Sequence, residues 1–218
     1  MRPSRSCGRL MTGMTGRCTI RGTRWSAGTT TRGRWRRLLA ALVVLGLAGL
    51  GVFWLVTAPR PLEASALPQH AGDPVNGQRM YHASGCHSCH LAPKGFAEAA
   101  ADLPVGGAPF KTPIGVLYPP NLTPDPETGI GQWSDVDFVN AMQKGIGRDG
   151  GHLIPAFPYT SYARMKTEDV LDIKAYLMTL TPVKNAAPAH EILALPLVRR
   201  GLGAWKWVGF DEAKTVVD

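Results

Sequence analysis

The stretch CHSCH at residues 86–90 decides how the rest of this chain folds. It has the form C-x-x-C-H, in which one helical turn separates two thiols and places both on the same face. At this spacing Cys86 and Cys89 can bond to one edge of a porphyrin, and the imidazole of His90 then points at the iron. The motif therefore predicts a covalently attached c-type haem with His90 as an axial iron ligand.

Other uses of the two cysteines fit the sequence less well. A thioredoxin-like redox pair needs a βαβ setting, and none is visible around the motif. A structural zinc site needs a second pair of ligands at zinc spacing, which is also absent. His87 is an alternative iron ligand, but the geometry of the motif favours His90. The other two cysteines, Cys7 and Cys18, do not extend the pattern to a disulfide framework.

Positive charge is concentrated at the N-terminus. The 218 residues carry a formal net charge of +8. Residues 1–37 hold ten arginines and no lysine, aspartate or glutamate, so the other 14 basic and 16 acidic residues give the rest of the chain a net charge of −2. A nucleic-acid-binding domain would spread basic residues over a folded face, so this distribution argues against nucleic acid as a partner. The tail has no hydrophobic periodicity and is predicted to be disordered.

An uncharged run of 20 residues follows the tail. Residues 38–57 read LLAALVVLGLAGLGVFWLVT, and as a helix they would span about 30 Å, the thickness of one hydrocarbon core. Four arginines stand just before the run, which by the positive-inside rule keeps the N-terminus in the cytoplasm and exports the chain after residue 58. The alternative is a cleaved signal peptide, whose apolar region is usually about 7–15 residues. We expect a transmembrane anchor, followed by a linker at residues 58–72.

The chain beyond the linker is predicted to be all-α. Asp73 followed by Pro74 marks a helix start, and this helix leads into the haem motif. Ser134 is predicted to cap a second helix and Thr167 a third. Residues 91–132 hold eight prolines and six glycines and show no strand alternation. So long an irregular stretch is expected only where a cofactor supplies the core. Apolar stripes predict the buried faces of the two later helices: Val136, Val139, Met142 and Ile146, then Val170, Ile173, Leu177 and Leu180.

Residues 73–182 resemble a class I cytochrome c domain. The segments that carry the resemblance are residues 77–81 before the haem motif, PNLTPDPETGIGQWS at residues 120–134, and HLIPAFPYTSYARMKTEDV at residues 152–170. The domain is similar to membrane-bound cytochromes related to the cytochrome c subunits of bacterial alcohol and gluconate dehydrogenases.

The resemblance implies a packing arrangement and a location. In the family the first and last helices cross near the haem edge, which would make Gly77, Tyr81 and Tyr176 packing residues. The domain would wrap around one covalent haem. A single-pass anchor would hold it on the periplasmic side of the bacterial inner membrane.

Electron transfer favours an iron with two axial ligands, and a thioether is the usual second one. Beyond the haem motif, four side chains could bind the iron: Met142, Met165, Met178 and His152. Many relatives use the methionine of P-A-M-P-Y, but this chain reads PAFPY at residues 155–159, and Phe157 cannot bind iron. A subgroup of relatives with A-F-P-Y carries a methionine near position 165. Because Met165 lies in a loop just before a helix, it is the predicted ligand. Met142, His152 and an open iron site remain alternatives, and Met178 is predicted to be a core residue.

Residues 183–218 form an amphipathic C-terminal segment with several tryptophans and basic residues. It is expected either to cover the domain or to lie at the membrane interface. The sequence contains no second C-x-x-C-H, so one haem is expected.

The predicted function is one-electron transfer rather than catalysis. The expected partners are a membrane or periplasmic dehydrogenase as donor and an oxidase or another cytochrome of the respiratory chain as acceptor. Two alternatives remain: a haem enzyme or gas sensor with an open iron, and a permanent subunit of a dehydrogenase complex that docks through residues 183–218.

Overall fold

The computed structural model of the chain describes residues 29–96 and 102–210. The described chain is mostly helical and divides into two compact units, Met1–Leu47 and Ala48–Asp218. Most of the predicted disordered tail, with Cys7 and Cys18, lies outside the described residues.

Helix α1 (Thr29–Val56) contains the predicted membrane span. Its stretch Gly33–Val56 is long and apolar enough to cross a membrane. Its leucines and valines are exposed on all sides of the helix, as expected for a helix surrounded by lipid. The helix begins at Thr29, so residues 29–37, which were predicted to be disordered, are helical.

Short helices joined by irregular loops make up the unit Ala48–Asp218. After α1 its elements are, in chain order, a 3-10 turn (Ala64–Ala66), α2 (Pro74–Ala83), α3 (Cys86–His90), β1 (Phe110–Thr112), β2 (Gly115–Leu117), α4 (Asp135–Val139), a π-helical segment (Asn140–Lys144), α5 (Tyr159–Tyr162), α6 (Thr167–Leu177) and α7 (Leu195–Gly209). The unit is therefore mostly helical, and the two short strands are a departure from the all-α prediction.

Helices α2 and α6 cross in close contact, as the resemblance implied. A Cβ atom at Gly77 would lie 1.9 Å from the carbonyl oxygen of Asp172, so only glycine allows the two backbones to approach so closely. One turn further along, the rings of Tyr81 and Tyr176 pack with their centroids 5.4 Å apart. The packing roles predicted for these residues are confirmed. The crossing also fixes the end of α2 from which the haem motif continues.

Two of the predicted helix starts are confirmed. The Asp73 carboxylate accepts a hydrogen bond from the backbone N–H of Val75 (2.8 Å), with proline at the first helical position. Ser134 and Asp137 form a capping box, in which each side chain bonds to the backbone N–H of the other residue. Both caps involve residues two or three apart in sequence, so a local pattern is enough to predict them.

The third cap and the length of the second helix were predicted wrongly. Helix α6 begins at Thr167 with Lys166 at the N-cap position, and no side-chain capping bond forms. The hydroxyl of Thr167 instead bonds to the side chain of Gln143 (3.3 Å). Helix α4 does not continue as an α-helix, but widens into the π-helical segment. Within that segment the buried Asn140 exchanges two hydrogen bonds with the backbone of Leu62 (2.7 and 3.2 Å).

The predicted core residues of these helices face inward. Six of them are fully buried: Val139, Met142, Ile146, Val170, Ile173 and Leu177. The other two, Val136 and Leu180, are partly buried. Most of the buried set forms one apolar cluster with Cys86, and Met165 packs against that cluster.

Strands β1 and β2 form an antiparallel hairpin that the sequence did not predict. Each strand is only three residues long, too short to show a period of two. Strand β2 also pairs with the C-terminal segment: its Val116 exchanges two backbone hydrogen bonds with Glu191 (2.8 and 3.2 Å). The partner lies in the C-terminal segment, so no local pattern indicates it.

Candidate haem site

The two cysteines and the histidine of the motif occupy one short helix. Helix α3 starts immediately after Gly85, whose left-handed conformation (φ 72°) allows the chain to turn sharply out of α2. Cys86 is buried at the base of the turn and Cys89 is exposed. One turn of helix thus presents both thiols and ends at His90.

His90 is held in a defined orientation. Its side chain is buried, and its Nδ1 atom lies 2.8 Å from the carbonyl oxygen of Pro120. A carbonyl can only accept, so Nδ1 carries the proton and Nε2 retains the lone pair that a metal requires. Burial lowers the pKa of His90, which favours the neutral ring. These features fit an axial ligand of haem iron, whose second ring nitrogen is normally fixed in this way.

The surroundings of the thiols do not suit a reactive redox pair. Burial raises the pKa of the Cys86 thiol to about 11, whereas cysteines of thioredoxin-like pairs have depressed pKa values. Within residues 29–96 and 102–210, no group of three or more His, Cys, Asp or Glu side chains could hold a metal ion. The raised pKa of the buried Cys86 thiol therefore argues against a thioredoxin-like redox pair.

Met165 lies beside the residue that leads into the motif. Its sulfur is 3.9 Å from the hydroxyl of Ser84, two residues before Cys86. Its backbone is fixed on both sides: the N–H donates to the carbonyl of Tyr162 (3.0 Å), and the carbonyl accepts from the side chain of Gln143 (2.8 Å).

A cleft opens beside Met165. It has a volume of about 580 Å³ and is lined by Thr160, Ser161, Arg164 and Met165. Met165 is thus half-buried in a fixed loop beside the cleft, whose lining does not include Cys86, Cys89 or His90.

The other candidate iron ligands are differently disposed. Met142 is buried in the apolar cluster. Met178 forms the C-cap of α6 and is 41% exposed, so the prediction that it is a core residue was wrong. Phe157, at the position of the family's usual methionine, packs its ring against Tyr162 with centroids 5.5 Å apart.

His152, one of the alternative ligands, is buried. Its Nε2 donates to the carbonyl oxygen of Thr57, at the end of α1 (3.0 Å). Burial is the largest cause that lowers the pKa of His152, and the nearby cations Lys206, Arg200 and Arg199 lower it further. Its ring is therefore engaged with the end of the anchor and not with the motif.

The C-terminal segment contacts the end of the anchor, which the sequence did not predict. The guanidinium of Arg200 lies over the ring of Trp54, 4.3 Å from its centroid. Gly203 approaches Thr57 so closely that a Cβ would lie 2.3 Å from the Thr57 carbonyl oxygen. The only sequence signal was the amphipathic pattern of residues 183–218, which does not specify a partner.

Comparison with known proteins identifies the domain. The cytochrome c family model matches residues 74–181. A diheme cytochrome c-type protein of Cereibacter sphaeroides is 40% identical over 172 residues, which are 78% of this chain and 57% of the relative. The cytochrome c subunit of the quinone alcohol dehydrogenase of Gluconobacter oxydans is 39% identical, over 60% of this chain and 26% of its own.

A third relative is the cytochrome c subunit of the gluconate 2-dehydrogenase of Pantoea cypripedii. It is 37% identical, over 63% of this chain and 30% of its own. The chain thus spans a little over half of the diheme relative and less than a third of the two dehydrogenase subunits. The apolar helix α1 is long and apolar enough to cross a membrane, which fits a membrane anchor for this cytochrome c domain.

Proposed function

Because this chain belongs, through residues 74–181, to the cytochrome c family, we propose that it transfers electrons from a membrane or periplasmic dehydrogenase to the respiratory chain. The observation that carries the proposal is the orientation of His90 at the end of the C-x-x-C-H turn, with its Nδ1 fixed by the carbonyl of Pro120 (2.8 Å). When bound, the haem supplies an iron that alternates between the ferrous and ferric states. The protein's own residues hold that group, orient its ligands and limit the access of water.

In this proposal Cys86 and Cys89 hold the haem through thioether bonds, and His90 and Met165 bind the iron. The contact of the Met165 sulfur with Ser84 and the two hydrogen bonds of its backbone support its assignment. An iron ligand that is held in the same place in the ferric and ferrous states suits electron transfer, because the protein then rearranges little when the iron changes its charge. The haem enzyme or gas sensor remains the less favoured alternative, since it needs an open iron position.

We propose one haem for this chain. Cys7 and Cys18 are eleven positions apart within the tail and cannot form a second C-x-x-C-H. The pyridine haemochrome absorbance per mole of protein tests the number: one haem is expected, and two would refute the proposal.

We also propose that the domain lies on the periplasmic side of the inner membrane. The support is the cluster of four arginines just before the apolar run, since Arg60 is the one basic residue close behind it. Protease added to spheroplasts should degrade the haem domain, while the same domain should be protected in inverted membrane vesicles. The reverse pattern would refute this orientation.

The iron ligands can be tested by absorption spectroscopy on the haem-loaded full chain. The oxidised protein should be low-spin and show the weak long-wavelength charge-transfer band of sulfur-to-iron coordination. Met165→Ala should abolish the band and allow carbon monoxide to bind the reduced iron rapidly. Met178→Ala is the matched control, because Met178 is exposed at the C-cap of α6, and it should leave the spectrum unchanged.

Other results would contradict the assignment. A band that survives Met165→Ala would exclude Met165 as the ligand. A high-spin spectrum in the unsubstituted protein would favour the open-iron alternative over electron transfer.

The partners can be tested in membranes of a bacterial host that makes this protein together with an alcohol or gluconate dehydrogenase. Adding the matching substrate should reduce the haem, and air should reoxidise it. Cyanide, which blocks terminal oxidases, should keep the haem reduced. If substrate leaves the haem oxidised with both dehydrogenases, this donor class is wrong.

A further inference from the structure

The basic side chains of α7 point into the protein. Arg199 forms a two-pronged ion pair with Asp149 (2.5 and 2.8 Å) and also donates to the carbonyl of His152 (2.8 Å). Lys206 is buried and donates to two backbone carbonyls at the end of the π-helical segment, one of them that of Gly145 (3.1 Å). The charges that would normally face water on a surface helix are thus used to hold α7 against the domain.

The opposite face of α7 is apolar and exposed. Leu197 and Val208 are 69% and 93% exposed, and Trp207 is 62% exposed. At about 100° per residue, Leu197 and Val208 lie about 20° apart on the helix, with the partly buried Ala204 beside them, whereas Trp207 lies about 80° from Leu197, next to Arg200. A helix in water normally shows the reverse pattern, with apolar residues inside and charges outside. An outward apolar face indicates surroundings other than water.

The contacts of α7 with α1 place it beside the end of the apolar span. Arg200 lies over the ring of Trp54, and Gly203 packs against the carbonyl of Thr57. Trp54 is inside the apolar span, and three residues of helix separate it from Thr57, a rise of about 4.5 Å. Helix α7 is therefore at the depth where the span ends and the headgroup layer of a bilayer begins. Tryptophan and arginine are the residues that membrane interfaces favour.

We propose that the outward face of α7, formed by Leu197 and Val208, lies in the interfacial layer of the membrane lipid. The helix that carries this face packs against the end of the membrane span through Arg200 and Gly203, which is why lipid is the occupant that fits it. The haem domain would then be held to the membrane at two places, by α1 and by α7. This second attachment would restrict rotation of the domain about its anchor and set which side faces the redox partners.

A fluorescent label on Val208 tests the proposal in the full, haem-loaded chain. Cys7→Ser and Cys18→Ser remove the tail thiols, and Val208→Cys provides a site for the polarity-sensitive dye NBD. Val75→Cys is the matched control, because Val75 is also an exposed valine (62%) but lies on α2. The protein without an introduced cysteine gives the background labelling. An unchanged haem absorption spectrum shows that each labelled protein is folded.

The labelled proteins are reconstituted in vesicles of phosphatidylcholine and phosphatidylglycerol. At position 208 the emission should shift to shorter wavelength, and lipids with a doxyl group near the headgroup should quench it several-fold more than at position 75. Equal, water-like emission at both positions would overturn the proposal. A blue-shifted signal at 208 that lipid quenchers do not reach would also overturn it, because a protein surface would then cover this face. Neither result bears on electron transfer by the haem.

Discussion

Replacing Gly77 by alanine tests the helix crossing that supports the haem motif. The added Cβ would lie 1.9 Å from the backbone oxygen of Asp172 and 2.4 Å from its carbonyl carbon. Both are backbone atoms, so no side chain can rotate to relieve the clash. Since Cβ contacts below 3.0 Å are essentially never seen, α2 and α6 must separate by about 1 Å at this point.

The expected cost follows from three contributions. Overpacking a closely packed site costs about 1–3 kcal/mol, and a backbone clash belongs at the upper end. Separating the rings of Tyr81 and Tyr176, now 5.4 Å apart, costs about 1 kcal/mol. The better helix propensity of alanine compared with glycine offsets up to about 1 kcal/mol of this loss. The free energy of unfolding should therefore fall by about 3 kcal/mol, which lowers the Tm by roughly 6–12 °C for a unit of this size.

Thermal unfolding of the haem-loaded chain, followed by far-UV circular dichroism, measures this effect. Gly201→Ala is the control, because it lies in α7 with nothing within 4 Å of the added Cβ. It should leave the Tm unchanged or raise it slightly. A Tm for Gly77→Ala within about 2 °C of the unsubstituted protein would show that the crossing tolerates a side chain, and the packing argument would be wrong.

Three further changes probe the ligand loop and the C-terminal helix. Met165→Ala should lower the reduction potential, measured by spectroscopic redox titration, because thioether ligation raises it. Met178→Ala should not change it, and an equal shift in both variants would contradict the assignment. Arg199→Ala should lower the free energy of unfolding in urea by about 1 kcal/mol or less, because its partner Asp149 is exposed; a loss of several kcal/mol would mean that the pair is more important than its exposure suggests. Burial lowers the pKa of His152, so its contribution to stability is complete above pH ~6.5 and is lost as the pH falls toward the folded-state pKa. The urea midpoint should thus fall less between pH 7.5 and pH 5 in His152→Asn than in the unsubstituted protein, and identical pH dependence would exclude this role.

The features that the sequence alone determined are those set by neighbouring residues. The spacing of Cys86, Cys89 and His90 specifies one helical turn. The caps at Asp73 and Ser134 need partners only two or three residues away. The apolar run of α1 and the inward stripes of α4 and α6 depend on composition and on a period of 3.6 residues. Each of these signals is local, so one sequence was enough to predict them.

Other features were decided only by the tertiary structure, because they depend on partners far away in the chain. His152 bonds to Thr57, 95 residues earlier, and this contact separates it from the other candidate ligands. The second strand of the hairpin pairs with Glu191 in the C-terminal segment, which no local alternation could show. The amphipathic pattern defines two faces of α7 but does not say which of them packs against the domain. The basic face packs inward because Arg199 and Lys206 meet hydrogen-bond acceptors there. Burial of a charge is favourable only beside a suitable acceptor, and the position of that acceptor is a property of the whole fold.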